Sequence, residues 1–343
     1  MSRKKLYALW ILAFLFKIIG ASWDVSYHFK YLREFYQLPH ILNGLGDLIG
    51  LILLIYMIRT ESKREREGIK IIALGMLIFI FGVGFDQWYH ATFGLDLTIW
   101  SPAHITLYLG SAFVILGMIF QTLHDHRNKI LSSRTTKTYL LIFFFFLFES
   151  FWFLLLQQEQ GIIASYLFAK GTPLVSQELL LFLKNPELTI SGGIPAWVYA
   201  AWSCFSAMFI FSLVKYFKLN KFSATYITSA YLIFRIIMNI VFSAVAYQTS
   251  TIPYNLLLTA IIFDLLYFYL EKLKVGLVLK ASLLSIAVTL SIYSISLINI
   301  KPPIHPLMPL NSMGYAIIGA LLAFILARIF FKVLPKVEEF LDR

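Results

Sequence analysis

The chain has 343 residues, of which 59% are hydrophobic and only 14% are charged, and its mean hydropathy is +0.77. This composition excludes a soluble globular protein and indicates a multi-pass membrane protein embedded in a lipid bilayer. The formal net charge of +11 does not imply a nucleic-acid partner, because the basic residues lie in short connections between apolar segments, where they set topology and contact anionic lipid headgroups. The single cysteine, Cys204, excludes an internal disulfide and a thiolate-rich cluster, so a bound metal would need His and carboxylate ligands.

Ten apolar windows follow one another along the chain, each about as long as the roughly 20 residues that cross the hydrocarbon core. The windows fall at residues 5–22, 40–58, 70–90, 103–123, 138–157, 195–217, 222–247, 253–271, 275–298 and 312–335. They predict an all-α, polytopic membrane helix bundle of about ten transmembrane helices. The first window also has the order of a signal peptide, but it matches residues 72–85, which lead into the second copy of a motif described below. An uncleaved first span is therefore the preferred interpretation.

Lys and Arg alternate between rich and poor connections. The rich segments are the N-terminus, 59–70, 124–137, 215–221, 272–274 and the C-terminal tail. The positive-inside rule then predicts an integral protein of the cell (cytoplasmic) membrane with both termini cytoplasmic. The connection at 158–195 is predicted to be long and extracytoplasmic, and within it Val175 to Leu183 is either a short surface helix or a packed loop.

A polar motif occurs twice in the first third of the chain. Each copy has an Asp, a Tyr-His pair, a Pro shortly before a second His, and a Gly, in that order. The copies are Asp24, Tyr27, His28, Pro39, His40 and Gly46, and Asp86, Tyr89, His90, Pro102, His104 and Gly110. The common order indicates a duplication. It predicts that the first four helices form a duplicated helix-hairpin unit, residues 1–130, followed by a six-helix unit, residues 131–343, of unknown role.

The residue types of the motif are those of a metal site. An Asp and a His four residues apart lie on one face of a helix, and the second His begins the next helix after a proline. This predicts two ligand triads on the extracytoplasmic side: Asp24, His28 and His40, and Asp86, His90 and His104. Such N and O donors fit copper, zinc or iron, with one shared ion or two separate ions. The alternative is that the Asp and His side chains form hydrogen bonds with each other at the helix ends, without a metal.

The second copy, Asp86-x3-His90 followed by Pro102-Ala-His104-Ile105-x2-Tyr108, resembles the metal-binding segment of the C subunit of the copper membrane monooxygenases, the particulate methane and ammonia monooxygenase family. The resemblance covers about residues 10–125. It implies that Asp86, His90 and His104 bind copper. Gly94-Leu95 stands where the family has a loop Arg, and Asp24 stands where the family's other element has Asn.

The same resemblance implies O2-dependent oxidation of a small apolar substrate, carried out with membrane partner subunits and an extracytoplasmic copper or electron donor. No catalytic residue is identified by the sequence, and whether the chain is an enzyme is left open. Two other functions are compatible with the motif. One is a non-enzymatic copper or zinc binding, sensing or transfer protein, and the other is a zinc-dependent membrane hydrolase in which an Asp acts as base.

Three polar features of the rest of the chain are candidates for function or packing. Glu149 is a carboxylate inside the fifth span, and either a functional role or a role in helix packing fits it. Arg235 and Asp264 are predicted to form an ion pair between the seventh and eighth spans. His305, between prolines in an outer connection, is either a further ligand or a structural residue.

Overall fold

The structure of the chain is a computed structural model, which describes residues 1–28, 38–61, 67–93, 100–169, 196–245, 252–294 and 310–333. Within these ranges the regular structure is entirely helical. The helices are α1 (Arg3–His28), α2 (Leu38–Thr60), α3 (Glu67–Phe93), α4 (Pro102–Arg127), α5 (Ser133–Ala169), α6 (Ala196–Tyr216), α7 (Ser223–Ala244), α8 (Asn255–Lys272), α9 (Leu277–Ser294) and α10 (Met313–Val333), the last preceded by a 3-10 turn, Leu310–Ser312. Some side chains inside the helices, including those of His28 and His90, lie outside the described part of the structure.

The predicted membrane bundle is confirmed. Each of the ten apolar windows coincides with a helix, and nine of the helices in the described ranges are long and apolar enough to cross a membrane. The remaining one, α8, has 18 residues and carries three charged side chains, Asp264, Glu271 and Lys272. Two of these charges are neutralised by partners on neighbouring helices, Lys215 for Asp264 and Lys280 for Glu271. The chain is therefore an integral membrane protein.

Helix α5 is longer than the apolar window predicted. Its apolar part ends at Leu155, but the helix continues to Ala169 and has 37 residues, about 55 Å of helix axis. Residues 158–169, predicted as the start of the outer connection, are therefore helical, and the apolar span itself ends close to the predicted position. Gln and Glu at 157–160 end the apolar pattern but are good helix formers, so the backbone stays helical beyond it. Residues 170–195, including the predicted element at 175–183, lie outside the described residues.

The chain forms two compact units, one of residues 1–154 with 238–250 and the other of residues 155–237 with 251–343. In the first unit α1 packs along α2 and α3 packs along α4, so each copy of the motif lies in one helical hairpin. Aromatic pairs fill the space between α1 and α5. Tyr7 stacks on Tyr139 with ring centroids 4.5 Å apart, and the Phe14 and Phe146 rings are 5.2 Å apart. The predicted division at residue 130 stays a prediction.

In the second unit α6 packs closely against α10. A methyl group added at Gly319 on α10 would lie 2.5 Å from the carbonyl oxygen of Ala201 on α6, so the two backbones touch at this point. Such small-residue contacts allow close approach of helices in a bilayer, where packing rather than water exclusion drives association.

The predicted Arg235–Asp264 ion pair is wrong. Asp264 pairs with Lys215 on α6, and its other oxygen accepts hydrogen bonds from the backbone N–H and the hydroxyl of Thr225, at 2.8 and 2.7 Å. Thr225 lies in the first turn of α7, ten residues before Arg235, which is about 15 Å along the helix axis. The two charges therefore lie at different depths, and the Arg235 Nε donates to the Tyr231 hydroxyl at 3.2 Å instead.

Candidate metal centre

Each hairpin of the first unit joins its Asp to the His at the start of its second helix. In the first hairpin the Oδ1 of Asp24 lies 2.9 Å from the Nε2 of His40. In the second hairpin the Oδ1 of Asp86 lies 3.4 Å from the Nε2 of His104. All four side chains are partly exposed. The two copies of the motif therefore produce the same pair, with the same atoms facing each other. We call each pair, together with the histidine that follows its Asp by four residues (His28 or His90), a half-site.

The second His of each motif lies in the first turn of its helix. His40 is the third residue of α2, and His104 is the third residue of α4. In α4 the position is set by an N-cap, because the hydroxyl of Ser101 accepts a hydrogen bond from the backbone N–H of His104 at 3.2 Å. Pro102 follows as the first helical residue, where its missing N–H costs nothing. The prediction that a proline precedes a helix-starting His is confirmed in both hairpins.

The third ligand predicted for each half-site is only partly described. The backbones of His28 and His90 belong to α1 and α3, four residues after the Asp in each case, but their side chains lie outside the described residues. Among the side chains that are described, no three His, Cys, Asp or Glu residues lie close enough together to hold a metal ion. The two triads therefore stay a prediction, of which the Asp–His pairs are the described part.

The geometry of the pairs fits metal binding. An ion that holds N and O donors at about 2.0–2.2 Å in tetrahedral or square geometry places neighbouring donor atoms roughly 3.0–3.5 Å apart. The separations of 2.9 and 3.4 Å in the two half-sites lie close to that range. The pair between Asp24 and His40 also suits a direct hydrogen bond, which is the arrangement that the metal-free alternative requires.

Glycines at corresponding places hold the two helices of each hairpin together below the half-site. A methyl group at Gly46 would lie 3.1 Å from the backbone nitrogen of Lys17, and one at Gly110 would lie 2.6 Å from that of Phe79. Lys17 and Phe79 each stand seven residues before the Asp of their motif. The second helix of each hairpin therefore approaches the first at the same position, which supports the structural equivalence of the two copies.

A second polar layer lies at the other end of the same helices. The buried carboxylate of Asp125 accepts hydrogen bonds from the Tyr7 hydroxyl and from the Gln121 amide, both at 3.0 Å. The Nε of Arg3 lies 3.0 Å from the same carboxylate, and the guanidinium also forms a two-pronged ion pair with Glu61. This cluster ties α1, α2 and α4 together.

The spacing of the two polar layers matches a membrane. Arg3 and Asp24 are 21 residues apart on α1, and His104 and Asp125 are 21 residues apart on α4. Twenty-one residues rise about 31 Å, close to the roughly 30 Å thickness of the hydrocarbon core. The half-sites and the Arg3 cluster therefore suit the two opposite membrane interfaces.

The motif did not reveal a third polar pair inside the first unit. Lys17 on α1 forms an ion pair with Asp47 on α2, seven residues from Asp24 and from His40 respectively. The sequence does carry a signal for this pair, because Lys17 and Asp47 each place a charge in an otherwise apolar helix. A hydropathy window tolerates a single charge, so neither residue stood out.

The remaining candidates of the sequence are placed as follows. Glu149 is buried within α5, with 2% of its surface exposed, and its role stays a prediction. His305 lies outside the described residues.

Comparison with known proteins adds no further assignment. Neither a protein-family model, nor a curated protein, nor a solved structure matches the chain.

Proposed function

We propose that the chain is an integral membrane copper-binding protein. The observation that carries the proposal is the Asp-to-His pair that recurs between the same atoms in both hairpins, Asp24 with His40 and Asp86 with His104. His28 and His90 complete the proposed ligand sets, because each follows its Asp by one helical turn.

The energetics of a membrane favour a ligand for these side chains. Ionisable groups in membrane helices cost free energy, about 2.5–3.5 kcal/mol for a charge at the centre and less towards the interface. Both copies of the motif incur this free-energy cost, since each has one aspartate and two histidines at corresponding positions. A bound cation would offset it more fully than a hydrogen bond, because both donors of each pair would then face a positive charge.

Copper, rather than zinc or iron, is proposed from the resemblance of the second hairpin to the C subunit of the copper membrane monooxygenases. When bound, copper would supply the redox chemistry that activates O2. The chain would supply the donors and an apolar surrounding, since the Phe85 ring packs on Trp88 at 5.7 Å and on Tyr89 at 6.2 Å beside Asp86. We therefore propose oxidation of a small apolar substrate together with partner subunits.

Metal analysis of the purified chain in lipid nanodiscs tests copper binding. We expect copper in stoichiometric amount in the wild type, partial loss in His40→Ala and in His104→Ala, and complete loss when both are combined. His124→Ala is the matched control, because this histidine lies at the opposite end of α4 and should leave the copper content unchanged.

Each contrary outcome has a distinct meaning. Stoichiometric zinc instead of copper would overturn the choice of metal. A wild-type protein that takes up no metal would overturn the proposal and leave the Asp–His pairs as hydrogen-bonded helix ends.

Oxygen consumption by the copper-loaded protein, with a reductant and small hydrocarbons, tests the oxidation. Consumption that requires both the hydrocarbon and His104 supports it, with candidate partner subunits added where the chain alone is inactive. Copper binding without any such consumption would instead favour a sensing or transfer protein.

We also propose that both termini are cytoplasmic and that the half-sites face the extracytoplasmic side. The natural Cys204 is fully buried and should give little background in a labelling experiment. A cysteine introduced at position 96 should react with a membrane-impermeant maleimide added from outside intact cells, and a cysteine at position 128 should not. The reverse pattern would overturn this topology.

A further inference from the structure

A crevice opens between the two hairpins in the interior of the first unit. Its volume is about 10 Å³, room for about one water molecule, and its walls come from α1, α2, α3 and α4. Lys17 and Asp47 line it and form an ion pair, with 15% of the Lys17 side-chain surface and 21% of the Asp47 side-chain surface exposed. Seven residues separate them from the half-site, about 10 Å along the helix axes, and 14 residues separate Lys17 from Arg3, about 21 Å. The pair therefore lies inside the apolar layer.

The ammonium of Lys17 has a second partner. Its Nζ lies 3.5 Å from the centroid of the Phe79 ring on α3. The face of an aromatic ring attracts a cation, and more strongly where water is excluded. Lys17 would therefore keep a favourable contact for its charge if Asp47 became neutral.

The second hairpin shows that packing does not require these charges. Phe79 occupies the place of Lys17 in the repeat, and Ser111 occupies the place of Asp47. Both line the same crevice from the other hairpin. Apolar replacements of a buried ion pair are often neutral or stabilising, so a pair retained at this depth is weak evidence of a stabilising role. An ionisable residue inside a membrane is by default a candidate for function.

We propose that Asp47 is a proton-binding site within the membrane, with Lys17 as its counter-ion and Phe79 holding the ammonium when Asp47 is protonated. The step is an addition of one proton to the carboxylate, which converts the ion pair into a carboxylic acid beside a retained ammonium. No bond in the protein is broken and no electron is transferred. The proposal does not depend on a metal at the half-sites.

The described residues that line the crevice include no competing proton acceptor. Facing the pair are Trp10, Ala13 and Phe14 from α1, Gly46 and Gly50 from α2, Met76 and Phe79 from α3, and Ser111 and Val114 from α4. None of these side chains takes up a proton in the ordinary pH range. Among the residues described around the crevice, the choice of proton acceptor is therefore between Asp47 and Lys17 alone.

The charge balance allows both forms. Removal from water favours the neutral carboxylic acid, whereas the nearby ammonium favours the carboxylate. Asp47 lines the crevice, which we assign as the route of the proton. The pair therefore combines a proton acceptor, a fixed counter-charge and an opening.

Infrared difference spectroscopy of the full chain in lipid nanodiscs, recorded while pH is lowered, tests the proposal. We expect the C=O stretch of a protonated carboxylic acid to appear in the wild type, to disappear from the difference spectrum in Asp47→Asn, and to change frequency in Asp47→Glu. In Lys17→Met the same band should appear at a pH higher by more than about one unit, because the carboxylate has lost its cation.

The double variant Lys17→Phe, Asp47→Ser is the fold control, since it copies the residues of the second hairpin. It should keep the helical circular dichroism of the wild type and lack the band. Should Asp47→Asn misfold, the frequency change in Asp47→Glu still assigns the band. If the wild-type band is absent over the whole pH range in which the protein stays folded, or is identical in Asp47→Glu, Asp47 is a permanent carboxylate and the proposal is overturned.

Discussion

The two hairpins of the first unit are alike at their ends and different in their middle. At one end both join an Asp to the first-turn His of the next helix. Seven residues before each Asp, about two helical turns away, a glycine of the second helix contacts the backbone of the first helix. At the level of this glycine contact, the first hairpin has the Lys17–Asp47 ion pair where the second has Phe79 and Ser111. The comparison teaches that the half-site needs the helix approach and the end residues, while the interior position is free to take another role.

The largest effect is expected when the ion pair is broken on one side only. Asp47→Ala leaves the Lys17 ammonium without its carboxylate, and we expect a loss of about 3 kcal/mol in the free energy of unfolding, the lower end of the range for buried pairs because both side chains are partly exposed. The double variant Lys17→Phe, Asp47→Ser should lose less than about 1 kcal/mol. Unfolding of each variant in the same mixed micelles measures the difference. An equal loss in Asp47→Ala and in the double variant would mean that the residues of the second hairpin cannot replace the ion pair of the first.

A smaller effect is expected from filling the helix contacts. Gly110→Ala would place a methyl group 2.6 Å from the backbone nitrogen and 2.8 Å from the Cα of Phe79, so we expect a loss of about 1–3 kcal/mol. Gly46→Ala should cost a similar amount, because its added methyl group would lie 2.6 Å from the backbone carbonyl oxygen of Ala13. The thermal unfolding midpoint in one detergent is the measurement.

The controls for this prediction are glycines in the same two hairpins. Gly44 and Gly84 have nothing within 4 Å of an added methyl group. Alanine at either position should stabilise its helix, by up to about 1 kcal/mol. A destabilisation as large at Gly84 as at Gly110 would show that the contact with Phe79 is not the cause.

The smallest effect is expected from the cap of α4. Ser101→Ala removes the acceptor for the His104 backbone N–H and should cost about 1 kcal/mol. Ser132→Ala removes a similar cap at the start of α5, where the hydroxyl accepts from the Thr135 N–H at 3.3 Å. Both variants should lower the thermal midpoint by a similar amount, but only Ser101→Ala should weaken copper binding. Equal copper affinity in the two variants would show that the Ser101 cap does not contribute to metal binding.

The sequence predicted the ten helices because apolar length is a direct consequence of bilayer thickness. Within the two predicted triads, it placed Asp24 near His40 and Asp86 near His104, because helical periodicity and a helix-starting proline fix which side chains share one end of a hairpin. These are local rules, and they hold wherever the chain runs straight between two interfaces. The triads themselves stay a prediction.

The errors came from questions that local rules do not answer. Hydropathy marks where lipid contact ends, not where the helix ends, so the continuation of α5 to Ala169 was missed. The partner of Asp264 depends on the relative depth of three helices. Counting residues along the spans placed Arg235 at the depth of Asp264, whereas Lys215 is the residue that pairs with it. Lys17 and Asp47 were overlooked for a similar reason, since their proximity follows from the crossing of α1 and α2 rather than from either segment alone.

The 21-residue separation of the two polar layers has a consequence for the choice of lipid. Because the half-sites and the Arg3 cluster belong to the same helices, the first unit has a fixed hydrophobic length of about 31 Å. A bilayer of shorter or longer acyl chains must deform, or the helices must tilt, at a cost of a fraction of a kcal/mol per ångström. Membrane thickness would thereby act on the geometry of the Asp–His pairs without contacting them, which makes acyl-chain length a variable that tunes this site.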